Sequence, residues 1–280
     1  MQIKFIQRFI DILRLSLDTG MIYETYKKFR EFEDIKNKIE TLILGSSHGY
    51  CGYVANENEY NLCLSSQDLY YSFKLYEKYQ KLPKLKNIVI FYSVFSRGFE
   101  LDKTNEKQRT LSYKHFFNIP ILNNNFYLNL KEISFEHYYK KIKSFPINKN
   151  NGNQENYNFP PCFIPVETRV KQHYKNFQRN NYQIKWLKQL VHCAKNNFHK
   201  VYIVIPPVTN EYKINMQKIS LNKNLFDDLN DLENVNIINL YDLNIFKNED
   251  FIDWDHLNFE GAKKCTKYIR NIRNKTEKNN

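Results

Sequence analysis

The stretch at residues 42–49 reads LILGSSHG, and it decides how the rest of the chain is interpreted. Three large apolar residues in a row are typical of a short strand that is buried on both faces. Gly45 and the two serines that follow end this strand and indicate a tight turn of small residues. The turn therefore presents Ser47 just beyond the end of a strand.

Four further apolar stretches predict strands, and helical stretches separate them. The predicted strands are 61–64, 87–92, 200–205 and 235–240. Helices are expected over 2–38, from Ser65 or Ser66 onward, and over about 168–197, 211–231 and 259–274. Strands that alternate with helices imply right-handed crossovers and a mostly parallel sheet with helices on both faces. We predict an α/β fold, a three-layer α/β/α sandwich with a five-stranded, mostly parallel sheet.

The predicted domain organisation is an N-terminal helical extension over 1–38, followed by an α/β domain over 39–280. Within that domain, residues from about 97 to 165 break the alternation of strands and helices and include a polar run at 148–158. We interpret this region as an insertion and not as a separate domain. The apolar residues of the extension recur at helical spacing, which suits either packing on its own domain or peripheral contact with a membrane.

The composition restricts partners and compartment. The formal net charge is +12, but the basic residues are spread along the chain, so we expect no nucleic-acid partner and keep nucleic-acid binding as the less favoured alternative. The five cysteines are odd in number and never spaced as CxxC, which argues against a disulfide framework and favours a reducing, cytoplasmic location. Charges interrupt the apolar residues of the first twenty positions, so no signal peptide is expected.

A second motif, DWDHLN at 253–258, places a carboxylate three residues before a histidine. A serine hydroxyl needs a base within hydrogen-bond reach to act as a nucleophile, and that base needs an acceptor on its other ring nitrogen. His256 suits the base and Asp253 suits the acceptor, with Asp255 as the alternative acceptor. Because sites in parallel sheets form beyond the carboxyl ends of the strands, we expect these groups to meet Ser47 at one edge of the sheet.

Further residues are candidates for the same site. The backbone amide of Ser47, in the turn, and that of Ser66, at a predicted helix start, are candidate donors to an oxyanion. His48 is either a substrate-pocket residue or a hydrogen-bonded structural histidine. The other histidines have no spacing typical of a metal site, and the chain has no glycine-rich nucleotide motif. We therefore predict neither a metal nor a cofactor.

The two motifs together resemble the SGNH (GDSL-like) hydrolase superfamily, over roughly residues 40–275. The triplet at 45–47 resembles the first sequence block of that family, with serine at 46 where aspartate is usual and Ser47 in the position of the nucleophile. The DWDH stretch resembles the last block, which places the acid at Asp253 and the base at His256.

Two other blocks of the family match less closely. The stretch NLCLSS at 61–66 resembles the second block, and Ser66 falls where the family has an oxyanion-hole glycine. The third block normally supplies an asparagine side chain to the oxyanion hole, but Phe95 falls near that position. Ser93 and Ser96 are candidate replacements and candidate substrate-pocket residues.

The resemblance implies a flavodoxin-like α/β/α fold and activity on ester or acyl groups, often of carbohydrates, lipids or envelope glycans. The divergence in the third block is similar to a branch of bacterial polysaccharide and envelope biosynthesis that includes O-acyltransferases and acetyl esterases. We therefore predict a serine esterase or O-acyltransferase that acts on an acyl ester of a carbohydrate or envelope glycan. The acyl group that we expect is acetyl. The alternative is a catalytically decayed protein on the same scaffold that binds glycans or assists polysaccharide assembly.

Overall fold

The structure is a computed structural model of the chain, and it describes residues 19–124, 126–145, 147, 149–154, 164–179, 182–221 and 223–278. The described residues form two compact units. One unit is drawn from residues 1–34 and 100–149, and the other from residues 35–99 and 150–280. The candidate site residues all belong to the second unit.

A five-stranded parallel sheet forms the centre of the second unit. Its strands are β1 Thr41–Leu44, β2 Glu59–Asn61, β3 Asn87–Phe91, β4 Lys200–Ile205 and β5 Val235–Asn239. They are arranged in the order β2-β1-β3-β4-β5, and every neighbouring pair is parallel. This is the flavodoxin-like order, in which the winding of the chain reverses between β1 and β3. The predicted α/β class with a five-stranded parallel sheet is confirmed.

Helices of the second unit complete a three-layer sandwich around the sheet. In chain order, the described helices are α1 Thr19–Ile35, α2 Ser47–Gly52, α3 Leu69–Tyr79, α4 Thr110–Phe117, α5 Phe126–Ile142, α6 Val166–Phe177, α7 Ile184–Asn196, α8 Asn210–Ser220 and α9 Phe259–Lys278. On one face of the sheet, Ile43 belongs to a core cluster with Tyr50 of α2 and Cys265 of α9. Residues of the opposite face, such as Leu42 and Ile88, are also fully buried, and α3 packs against α7.

Strand β2 and helix α3 lie elsewhere than the sequence predicts. The apolar stretch 61–64 is buried, but the strand covers Glu59–Asn61 instead. Helix α3 begins at Leu69 and not at Ser65 or Ser66, because Asp68 caps it by accepting a hydrogen bond from the Tyr71 amide at 3.0 Å. An aspartate at this position satisfies an amide that would otherwise have no partner in the first turn.

Two predicted helices are shorter than expected. The stretch 168–197 forms two helices, α6 and α7, and not one. Gln183, the residue before α7, forms hydrogen bonds to residues that are distant in the sequence. The Gln183 amide donates to the Arg97 carbonyl at 3.3 Å, and its side-chain oxygen accepts from the Tyr70 amide at 3.0 Å. The predicted helix 211–231 ends at Ser220, where Leu221 adopts a left-handed conformation with φ of 51° that stops the helix.

The first unit contains helices α1, α4 and α5, so the region predicted as an insertion is partly helical. In this unit, the rings of Tyr26 and Phe29 pack on Phe116. The division at residue 38 stays a prediction. Residues 1–18, which carry most of the proposed membrane-facing helix, lie outside the described residues, as does part of the polar run at 148–158. Of the helices in the described ranges, none has the length and hydropathy of a transmembrane segment.

Gly45 lies where β1 ends, in close contact with β3. Its φ of 138° belongs to the region that residues with a side chain rarely adopt. A Cβ atom at this position would lie 2.9 Å from the Cβ of Phe91 and 3.0 Å from the Phe91 carbonyl oxygen. Both the backbone conformation and the contact therefore require glycine.

We expect Gly45→Ala to lower the free energy of unfolding by about 1–3 kcal/mol, because the new methyl group forces β1 and β3 apart and strains the turn. Urea unfolding of the full chain measures this change. Gly52→Ala is the matched control, since Gly52 has no positive φ and the three atoms nearest its Cβ would be side-chain ring atoms of Phe91, the first at 3.1 Å. Equal losses in the two variants would contradict the special role of Gly45.

Candidate active site

Ser47 is the first residue of helix α2, directly after the turn that leaves β1. The preceding residue, Ser46, is buried and extended and begins the helix without a side-chain cap. The side chain of Ser47 lies at the carboxyl edge of the sheet and is only partly buried. Its Oγ lies 2.9 Å from Nε2 of His256, although the two residues are 209 positions apart.

Asp253 holds His256 in a tight turn before helix α9. One carboxylate oxygen of Asp253, Oδ1, accepts the amides of Asp255 at 3.0 Å and His256 at 2.8 Å. The other oxygen, Oδ2, lies 2.8 Å from Nδ1 of His256. Since a carboxylate only accepts, Nδ1 carries a proton and Nε2 is left to accept one from the Ser47 hydroxyl. The structure thus brings Ser47, His256 and Asp253 together in a row.

Asp255, the alternative acceptor, has other partners. It is buried, and its Oδ2 lies 2.9 Å from Nε2 of His48. Arg169 of helix α6 donates to both carboxylate oxygens of Asp255, with Nε 2.8 Å from Oδ1 and Nη2 2.9 Å from Oδ2. Such a two-bond pair is the strongest form of an arginine–carboxylate contact. Asp253 is therefore the acid that holds the ring of His256.

The structure places His48 and Ser93 in one buried hydrogen-bond network. The ring nitrogen Nδ1 of His48 lies 2.8 Å from Ser93 Oγ, and the Ser93 amide donates to Ser96 Oγ at 2.9 Å. Both ring nitrogens of His48 are therefore in use, which favours the structural interpretation of this histidine over the substrate-pocket one. The ring of Phe95, in the same turn, packs on the rings of His48 and His173.

Sequence reasoning missed Arg169 and His173. His173 is buried, its Nδ1 lies 2.7 Å from the Tyr212 hydroxyl, and its Nε2 lies 3.9 Å from Asp255. The available signal was the spacing on α6. Arg169 and His173 are four residues apart, in line with the buried Val166 and Val170. Polar residues within the apolar stripe of a helix point to buried partners.

Opposing effects act on the pKa of His256. Burial favours the neutral ring and by itself lowers the pKa, but the negative charges of Asp255 and Asp253 and the hydrogen bond to Asp253 outweigh it. The pKa of His256 is therefore raised above its ordinary value of 6.5. Burial also raises the pKa of the Asp253 carboxyl, and the hydrogen bond and charge of His256 more than reverse this, so the net pKa is lowered.

At His48 and His173, the two histidines next to Asp255, the effect of burial on the pKa outweighs that of the neighbouring charges. Burial dominates at His48 and His173 and lowers the pKa of both rings. Burial alone would raise the pKa of Asp255, but the Arg169 guanidinium and the neighbouring histidines hold it well below its usual range. The network is thus a charged Asp255–Arg169 pair flanked by imidazoles that favour the neutral form.

Ser66 is not at a helix start, contrary to the sequence interpretation, because α3 begins three residues later. It occupies a turn and has a φ of 60°. The helix-terminus argument for its amide as an oxyanion donor is therefore wrong. Ser66 is left with a left-handed backbone conformation, which glycine adopts most easily.

His48, Asp255 and His256 place possible metal-ligand atoms within 4.8 Å of one another. The donor set fits a cation poorly. His48 and His256 are already bonded to Asp255, Asp253 and Ser47. The Arg169 guanidinium is bound to the same carboxylate and would repel a metal ion.

We expect His256 to titrate above pH 6.5, and Asp253→Asn to lower its pKa. The carboxylate stabilises the imidazolium, so removing its charge favours the neutral ring and shifts titration to lower pH. Nuclear magnetic resonance of the histidine ring carbons against pH measures the shift. Glu77→Gln, at a carboxylate bonded to Lys74 on helix α3, is the control and should leave His256 unchanged. An unchanged titration in Asp253→Asn would contradict the observed contact.

No protein-family model matches the chain, and no curated protein matches it. A solved structure from Streptococcus pneumonia, described as a "putative platelet activating factor", is similar in fold, with 11% sequence identity and a TM-score of 0.44. The similarity covers 90% of this chain and 94% of the other.

Proposed function

We propose that this chain is a serine esterase or O-acyltransferase of the SGNH (GDSL-like) type. The observation that carries the proposal is the row of three side chains at the carboxyl edge of the sheet. Ser47 Oγ is 2.9 Å from His256 Nε2, and His256 Nδ1 is 2.8 Å from Asp253 Oδ2. Nucleophile, base and orienting acid are recognised by this geometry and not by their order in the sequence.

In the proposed reaction, Ser47 Oγ attacks the carbonyl carbon of an ester while its proton passes to Nε2 of His256. The tetrahedral intermediate then collapses, the bond to the alcohol oxygen breaks, and His256 returns the proton to the leaving alcohol. This leaves an acyl group on Ser47. Water or a sugar hydroxyl next gives its proton to His256 and attacks the acyl carbon. The bond between the acyl carbon and Ser47 Oγ then breaks, His256 returns the proton to that oxygen, and an acid or a new ester is released.

Asp253 has two functions in this scheme. Its hydrogen bond to Nδ1 selects the tautomer in which Nε2 accepts the serine proton. Its charge, with that of Asp255, stabilises the imidazolium that forms during the transfer, as the raised pKa of His256 indicates. Because the base must be neutral to accept a proton, activity should fall as the pH decreases through that raised pKa.

The oxyanion donors in this proposal are the amides of Ser47 and Ser66. The third donor that the family resemblance implies is an asparagine side chain. Ser93 cannot replace it, because the Ser93 hydroxyl donates to Nδ1 of His48. Ser96 stays a candidate replacement, because its oxygen accepts from the Ser93 amide and this bond does not use its hydroxyl proton. The loss of one donor typically reduces turnover by about 10²–10³. We therefore expect a slow enzyme unless the Ser96 hydroxyl supplies this donor.

The proposed substrate is an acyl ester of a carbohydrate or envelope glycan, and the proposed location is the cytoplasm. The substrate class rests on the resemblance, and the location on the cysteine usage. A second candidate function is a glycan-binding or polysaccharide-assembly protein without activity. The observation that favours it is Phe95, whose apolar ring occupies the turn where the resemblance calls for an asparagine.

Ser47→Ala should reduce hydrolysis of p-nitrophenyl acetate and of an acetylated glycan by at least about a hundredfold, because no hydroxyl remains to form the acyl intermediate. Initial rates of the full chain measure this effect. Ser220→Ala is the matched control, since Ser220 is a buried serine at the end of helix α8 whose hydroxyl donates to the Gln217 carbonyl of the same helix at 3.4 Å. Undiminished turnover in Ser47→Ala would reject Ser47 as nucleophile.

A fluorophosphonate probe separates the two candidate functions. Only a serine that is activated by a base forms a covalent bond with the probe, so the native chain should be labelled and Ser47→Ala should not. Intact-protein mass spectrometry detects one added group. An unlabelled native chain would favour the non-enzymatic alternative.

A further inference from the structure

The ring of His48 lies flat against the ring of His256. Their centroids are 4.9 Å apart, and their planes differ by only 15°. Offset stacking of this kind is a favourable aromatic arrangement and limits how far either ring can tilt. His48 follows Ser47 in the sequence. The first turn of helix α2 therefore carries both the Ser47 hydroxyl and the ring that stacks on His256.

The ring of His48 is held at both nitrogens. Nε2 bonds to Asp255 at 2.9 Å and Nδ1 bonds to Ser93 at 2.8 Å. All three side chains are buried. Since Asp255 is a carboxylate, Nε2 must donate, and the neutral ring then accepts from the Ser93 hydroxyl at Nδ1. The two bonds come from different elements, one after β3 and one before α9, and together they fix the ring plane.

Asp255 is itself fixed by Arg169, which bonds to both of its oxygens. A buried ion pair of this kind is weak evidence for stability, because the cost of removing two charges from water offsets much of their attraction. Its position is more informative. Asp255 precedes His256 in the chain and bonds to the residue that follows Ser47, so it connects the two segments that form the proposed site.

We propose that His48 is a positioning residue for His256: held by the Asp255–Arg169 pair and by Ser93, its ring fixes the orientation in which His256 receives the Ser47 proton. This inference rests on the proposed function of Ser47 and His256. His48 does not touch the reacting atoms in the scheme. It acts through the ring of the base.

The charges around His48 agree with this role. Burial lowers its pKa despite the neighbouring Asp255, so the ring favours the neutral form. A neutral ring presents its aromatic face to the imidazolium of His256, which is an attractive arrangement. Arg169 offsets the charge of Asp255, which would otherwise favour a proton on His48. A protonated His48 would repel the charge that forms on His256 at a centroid distance of 4.9 Å.

The test compares His48→Ala, which removes the stacked ring, with His48→Phe, which keeps a ring but removes both hydrogen bonds. Tyr76→Phe is the matched control, because it removes a buried hydroxyl that bonds to the ring of His199 at 2.9 Å, away from the site. The readouts are kcat and KM for p-nitrophenyl acetate, the rate of fluorophosphonate labelling, and the resonance of the His256 Nδ1 proton. Urea unfolding checks that each variant folds.

We expect His48→Ala to lower kcat by about 10–10² with KM within about twofold, since misplacing a catalytic group by about 1 Å can cost up to about 10² in rate. His48→Phe should lose less, and Tyr76→Phe should match the native chain. The Nδ1 proton resonance of His256 should broaden or disappear in His48→Ala. If that variant does not fold, Ser93→Ala, which removes one hydroxyl, should lower kcat in the same sense.

The positioning role is overturned if the folded His48→Ala variant keeps native kcat and an unchanged His256 resonance. It is also overturned if, across the His48 variants, kcat and KM both change in proportion to the loss in free energy of unfolding. Failure of the proposed function gives a different result, because the native chain is then not labelled by the probe. In that case the resonance of His256 in His48→Ala still decides whether His48 orients the ring.

Discussion

The close packing of Gly45 on Phe91 is the constraint on which the rest of the site depends. It allows β1 to pair with β3 along its full length and then to leave the sheet within two residues. Any side chain at position 45 would move the start of helix α2 away from the sheet. Both Ser47 and His48 lie on that first turn, so one backbone contact sets the position of the proposed nucleophile and of the ring behind the proposed base.

A second constraint acts at the other end of the chain. The Asp253 carboxylate accepts two backbone amides and faces the ring of His256, so a single side chain defines both the turn and the orientation of the imidazole. Since these contacts span only three residues, they form wherever the turn forms. The distant part of the arrangement is supplied by the sheet, whose parallel strands all end at the same edge.

The sequence predicted the fold class and four of the strands well, because continuous apolar stretches such as 87–91 and 200–205 are buried on both faces. It misplaced β2, since the paired residues Glu59–Asn61 are mostly polar and are selected by pairing with β1 and not by their own pattern. The break between α6 and α7 was missed for a similar reason. Gln183 leaves the helical pattern to bond with Arg97 and Tyr70, which are distant in sequence.

The row of Ser47, His256 and Asp253 was predictable from motif spacing together with the geometry of parallel sheets. Arg169 and His173 were not, because a helical pattern shows which residues share a stripe but not which buried group that stripe meets. Phe95 shows the same limit. The sequence shows that a phenylalanine cannot donate the hydrogen bond that an asparagine would. Only the structure shows that its ring packs on the imidazoles of His48 and His173.

The bond between Arg169 and Asp255 has a consequence for engineering and for divergence. It joins helix α6 to the loop that carries His256, so these two pieces form one module although Arg169 and Asp255 are 86 residues apart in the sequence. A chimaera that exchanges the final loop and helix alone would leave a guanidinium without its carboxylate inside the protein. Recombination between relatives should therefore succeed only where crossover points keep both pieces from the same parent.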